Sequence, residues 1–182
     1  MLSSFGKTDP VNSPSAFGSY LRLADGPLDV NWHHCSLTAE FMGEVYALRC
    51  DSAHMDYNEA RHSISYMVNE LLENAVKFRI EGDITIQASL EGKRFEFTVT
   101  NQISPEAAGR FQTLLEEIVQ RDPGELLIER IEANAENADS NGSGLGLLTL
   151  MSDYGVRLGW VFRQTAADEP VRLETLAVLD LA

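Results

Sequence analysis

The chain has 182 residues, of which 14 are Lys or Arg and 28 are Asp or Glu, giving a net charge of −14. Hydrophobic residues make up 44%, and a chain of this length buries roughly two-thirds of its unfolded surface, so one folded core is expected and wholesale disorder is excluded. The acidic balance, with no Lys/Arg block, argues against nucleic acid and anionic membrane as partners, since both are bound through clustered cations.

Residues 1–18 are rich in Ser, Gly, Pro and Asn and read as a flexible leader to a single domain over 19–182. No apolar run approaches the roughly 18 residues of a membrane span, and the leader lacks the apolar stretch of a signal peptide. Cys35 and Cys50 have neither metal-ligand spacing nor a disulfide framework, which suits a cytoplasmic location. Strand-like stretches at 20–24 and 28–33 flank the turn signal Asp25-Gly26-Pro27 and predict a hairpin. Ser36 can cap a helix over about 37–49. Asp56-Tyr57-Asn58-Glu59 has the form of a capping box and opens a longer helix to about 79.

Two strands at 83–90 and 94–100, joined by Glu91-Gly92-Lys93, form the next hairpin; RFEFTVT alternates clearly. Ser104-Pro105 starts a helix to about 121, Pro123-Gly124 breaks it, and a further helical stretch covers about 125–136. A polar loop then leads into GSGLGLLTLMSDYG, a Gly-rich turn opening an apolar helix that Gly155 can end. Strands at 156–163 and 171–181 close the chain. Strands paired in hairpins and separated by helices predict an α+β fold, a two-layer sandwich with helices on one face of a mainly antiparallel sheet.

Three constellations carry chemistry. In NELLENAVKF, Glu70 and Asn74 are i, i+4 on one helix face, with Lys77 further along the stripe. A carboxylate, a carboxamide and an ammonium in that order can serve as a base, a neutral metal ligand and a phosphate-binding cation, although an isolated stripe of this kind is more often a solvated face. In Asn141-Gly142-Ser143-Gly144-Leu145-Gly146, glycines ahead of a helix N-terminus can let backbone N–H groups face an anion. The run is neither a Walker loop nor a dinucleotide fingerprint. Asn101 ends the strand FEFTVT, where a carboxamide can pair with a base or simply start a turn.

In order and spacing, about 70 residues apart, NELLENAVKF resembles the N box and GSGLGLLTLM the G2 box of the GHKL (Bergerat-fold) ATPases and kinases, over about residues 57–181. The resemblance implies a mixed, mainly antiparallel sheet and bound ATP and Mg²⁺. Asn74 takes the place of the Mg²⁺ ligand, Glu70 that of the residue activating an attacking hydroxyl, and Lys77 that of the N-box cation near the phosphates. The loop of Gly142, Ser143, Gly144, Leu145 and Gly146 would close over the phosphates, and Thr175 in ETLAVLDL matches a Thr that helps to hold adenine. One departure stands out. The G1 box, Asp-x-Gly-x-Gly, is here Asn101-Gln102-Ile103-Ser104-Pro105, leaving Asn101 in place of the Asp that accepts from the adenine amino group, followed by a lid and helical insert at about 102–143. A carboxamide can both accept from an amino group and donate to a ring nitrogen.

Among GHKL proteins, the chain is most similar to stand-alone anti-sigma-factor and partner-switching serine/threonine kinases. About 69 residues precede the N box, with no dimerisation hairpin and no phosphoacceptor setting around His33, His34, His54 or His62, which weakens a histidine kinase. The resemblance implies a protein kinase acting on a small anti-sigma-antagonist-like protein. Related kinases pair as homodimers, to which the leader and first hairpin could contribute. The alternative is a non-catalytic module of the same fold that sequesters a regulatory protein. Residues 102–141 carry nine acids and three basic residues. That is either a solvated helix face or a surface steering a basic partner.

Overall fold

The alternation in RFEFTVT persists for ten residues in the computed structural model, which describes residues 1–7, 17–24, 32–51, 56–136 and 144–182. In chain order the elements are β1 (Leu2–Gly6), β2 (Phe17–Leu23), α1 (Trp32–Asp51), α2 (Tyr57–Phe78), β3 (Ile84–Glu91), β4 (Arg94–Ile103), α3 (Pro105–Gln120), α4 (Pro123–Glu136), α5 (Leu145–Ser152), β5 (Arg157–Arg163) and β6 (Val171–Asp180). Six strands form one sheet in the order β1-β5-β6-β4-β3-β2. Every described pairing is antiparallel, so the sheet is not the mixed one the resemblance implied. With five helices among the described residues the chain is α+β, consistent with a two-layer sandwich.

Period-two burial gives the sheet two unlike faces. Ile84, Ile86, Ala88 and Leu90 of β3, Phe95, Phe97, Val99, Asn101 and Ile103 of β4, and Leu173, Thr175, Ala177 and Leu179 of β6 are buried in the layer shared with the helices. The alternate residues, among them Thr85, Gln87, Thr98, Thr100 and Glu174, face the other way around an open, polar hollow. On the covered side Ile64, Met67, Val68, Leu71, Leu72 and Ala75 form the buried stripe of α2, which packs against α1.

Local sequence sets the helix starts. Asp56 caps α2, its side chain accepting from the Glu59 N–H at 2.9 Å. Ser104 caps α3 by accepting from the Ala107 N–H at 3.1 Å, with Pro105 in the first turn. Asp122 Oδ1 accepts from the Glu125 N–H at 3.0 Å, so Pro123-Gly124 begins α4 as well as ending α3. Gly155, at φ +63°, follows α5 in the left-handed region that suits glycine.

The N-terminal expectations need correction. Residues 2–6, assigned to the leader by composition, are edge strand β1, paired with β5 and tied to α3 where Gln112 Nε2 donates to Ser3 Oγ at 2.9 Å. Of the expected 20–24/28–33 hairpin, residues 25–31 lie outside the described residues; β2 pairs with β3, Trp32 and His33 belong to α1, and Ser36 lies inside that helix. Long-range ladder bonds place β2 at the sheet edge beside β3. Asn101 is not the end of its strand. The β4–β6 ladder carries on through Ile103, and α3 follows after one residue.

Candidate functional site

Between the covered face of the sheet and α2, α3 and α5 lies a cavity of about 190 Å³. Its walls are mainly apolar, with Phe78, Phe111, Leu147 and Trp160 among them, and Asn74, Asn101, Gly144 and Thr175 also line it. These four residues come from four separate stretches of sequence. Among the described residues, Asn101 and Thr175 are the only buried side chains of polar type, at 3% and 7% exposure, and both open onto this cavity. Burying a carboxamide and a hydroxyl beside apolar walls costs free energy unless they find partners. The register explains their convergence. Thr175 is paired with Val99 of β4, two residues before Asn101, and with Trp160 of β5.

Each candidate side chain has a defined setting. Asn101 Nδ2 donates to the Ala75 carbonyl at 3.2 Å, tying β4 to α2. Asn74 Nδ2 donates to the Glu70 carbonyl one turn earlier, at 2.8 Å, and Oδ1 has no partner among the described residues. Glu70 is partly buried, and its carboxylate lies over the first turn of α5. A β-carbon at Gly146 would come within 1.9 Å of Glu70 Oε2, so only glycine admits the carboxylate there. Burial raises the Glu70 pKa above the ordinary glutamate value, and the neighbouring charge of Glu73 adds to the rise. A carboxyl held this way is a stronger base once ionised.

Gly144 is the N-cap of α5 at φ +90° and lines the cavity. The Arg130 guanidinium stands beside it: Nη1 is 3.0 Å from where a β-carbon at 144 would lie, and Arg130 also pairs with Glu117 at 2.7 Å. Leu145 is the first residue of α5 and packs against the core without lining the cavity. Gly142 and Ser143 lie outside the described residues. Lys77 is not on the cavity wall. It is exposed, with Nζ 5.1 Å from the Phe78 ring centroid, and Phe78 itself forms the wall. The cation that does line the cavity is Arg110 of α3, ion-paired with Glu106.

Sequence reading missed Arg110, Phe111 and Trp160. Ala107, Arg110, Phe111 and Leu114 share one face of α3 at i, i+3, i+4, i+7, and all line the cavity, so a cation within an apolar stripe was the available signal. Phe111 and Trp160 meet edge to face, their ring centroids 6.1 Å apart at 86°. Trp160 lies in the buried run of β5, where continuous hydrophobicity gives no hint of which residue faces a ligand.

For Mg²⁺, the donor set is sparse. Among the described residues no group of three or more His, Cys, Asp or Glu side chains could hold a metal ion. Mg²⁺ commonly keeps waters and uses one or two protein oxygens plus ligand oxygens, and Asn74 Oδ1, on the cavity wall, could supply one of them. No protein-family model matches the chain, and no curated protein matches it significantly.

Proposed function

We propose that this chain is a GHKL-type ATP-binding protein serine/threonine kinase. The observation that carries the reading is the convergence of Asn74, Asn101, Gly144 and Thr175 on one apolar cavity, with Glu70 one helical turn from Asn74. At about 190 Å³ the cavity is smaller than the roughly 300–1,000 Å³ typical of whole-ligand pockets, which suits a base with sugar and phosphates extending beyond it.

In this reading adenine sits among Phe78, Phe111, Leu147 and Trp160, with Asn101 and Thr175 on its polar edge. Asn74 Oδ1 would hold Mg²⁺ together with phosphate oxygens, and the metal would neutralise phosphate charge. Gly144 and the first turn of α5 approach the phosphates, and Arg110 and Arg130 supply positive charge in the place proposed from sequence for Lys77. Glu70 accepts the proton of a substrate Ser or Thr hydroxyl as its oxygen attacks the terminal phosphorus, and ADP leaves. Phosphoryl transfer needs mainly positioning and charge neutralisation, so this small set suffices.

The proposed substrate is a small anti-sigma-antagonist-like protein in a cytoplasmic partner-switching system. Helix α4 exposes Ile128 and Ile131 beside Glu125 and Glu132, acids that form no ion pair among the described residues, and this surface suits a basic partner. Incubation with labelled ATP and the antagonist protein encoded nearby tests the reading. Label transfer lost in Glu70→Gln supports it, and full transfer by Glu70→Gln defeats it. The second reading, a non-catalytic sequestering module, is favoured by the missing Asp and glycines after Asn101. A thermal-shift titration separates the two. ATP·Mg²⁺ at 100 times its Kd should stabilise the chain by about 2.7 kcal/mol, whereas no shift up to millimolar ATP leaves the sequestering module.

A further inference from the structure

Trp160 is wholly buried and lines the cavity, yet its Nε1 has no hydrogen-bond acceptor among the described residues. No other buried side-chain nitrogen or oxygen there is left in that state. An indole N–H is a donor only, and buried indoles ordinarily find an acceptor. A phenylalanine would fill the same wall without stranding a donor, so packing alone does not account for the indole. Two other polar residues of the cavity stand near it in the sheet: Thr175 is its cross-strand partner, and Asn101 lies on the next strand beyond.

We infer that the Trp160 N–H is a ligand-contacting donor, hydrogen-bonded to a ring nitrogen of a flat aminated heterocycle seated in the cavity. This rests on the nucleotide reading above and adds to it a specificity-determining contact. The cavity then presents a donor at Trp160, an acceptor at Asn101 Oδ1 (one Nδ2 proton going to the Ala75 carbonyl) and a hydroxyl at Thr175 that does either. Such a set matches an edge carrying both ring nitrogens and an exocyclic amine, as in an aminopurine. A hydrocarbon or purely anionic ligand would leave the indole donor unmatched.

The test uses the full chain in a Trp32→Phe background, where Trp160 is the one remaining tryptophan and gives a single indole N–H resonance. Titration with ATP·Mg²⁺ should move that resonance downfield. Dissociation constants are then measured for ATP and its 1-, 3- and 7-deaza analogues, with Trp160 present and in Trp160→Phe. The expected result is about a three- to tenfold loss of ATP affinity in Trp160→Phe. One deaza analogue should show the same loss against the Trp160 chain and no further loss against the variant. If ATP binds while the indole resonance stays still and no deaza analogue distinguishes the two chains, the inference is overturned and the nucleotide reading stands. If ATP does not bind the Trp160 chain at all, both fall. Should Trp160→Phe fail to fold, the resonance shift and the deaza series on the Trp160 chain decide alone.

Discussion

Glu70 carries the sharpest single-residue consequence. Its pKa is raised by burial and then by Glu73, so the folded chain holds this proton more tightly than the unfolded chain does. The linked stability is therefore fully present below the unfolded value near 4.5 and is lost as pH rises through the higher folded value. Glu70→Gln should melt above wild type at pH 7–8, with the gap closing towards pH 4; melting curves across that range check it, and a pH-independent gap would count against a strained carboxylate. Gly146→Ala should separate stability from activity. Alanine gains about 0.8–1 kcal/mol of helix propensity over glycine, which offsets the cost of pushing aside a flexible carboxylate. Stability should change by less than about 1 kcal/mol while label transfer falls with the displaced Glu70. The Cys35 thiol is pushed up to about 11, first by burial and then by Glu73, so native protein at pH 8 should react with a thiol reagent far more slowly than denatured protein. At this scale the motif context singles out Asn74, Asn101 and Thr175, which the fold brings to one cavity. Lys77 does not line that cavity, because helical spacing says which face a residue shares, and not how far its flexible stem lies from a cavity.

Among the elements, caps and alternation were legible and edge pairing was not. Asp56 and Ser104 announce their helices because each supplies an acceptor for an N–H that the helix itself cannot satisfy. Ser104→Ala should cost about 1 kcal/mol in a denaturant titration. It tests in addition whether the start of α3, which turns Arg110 and Phe111 to the cavity, governs ATP affinity. Strand β1 was illegible because LSSFG is short and polar, and what makes it a strand is β5, distant in sequence. Its Phe5 meets Phe162 edge to face at 5.9 Å, Phe162 lies 6.0 Å from Phe111, and Phe111 touches Trp160. This aromatic chain couples the sheet edge to the cavity wall. Phe5→Ala should lower stability by about 1–2 kcal/mol, less than the 3–5 of a fully buried phenylalanine, and should weaken ATP binding measurably. Unchanged affinity would show that the wall holds without its edge support.

For the whole molecule, the net charge of −14 and a set of mostly exposed ion pairs pull against each other. Exposed pairs are each worth about 0–1 kcal/mol, while like-charge repulsion acts across the whole surface. Raising NaCl to about 0.3 M shortens the screening length to well under 10 Å and should raise the melting temperature. A fall would mean that the ion pairs of α3 and α4 outweigh the repulsion. In that insert Arg110, Arg121 and Arg130 are all engaged by glutamates, so the acids left over set its outward character. The α+β class was readable from hairpins and helices in alternation, but the all-antiparallel pairing and the final strand order arise from contacts between distant segments.

Strands β1 and β2 stand at opposite edges of the sheet although they follow one another in the chain. The register joins Leu2 to Arg163. On a ribosome, β1 therefore emerges long before β5, the strand it docks on, exists. Refolding from denaturant and folding during synthesis should differ most at this edge, and β1 is the strand left open to wrong neighbours in the interval.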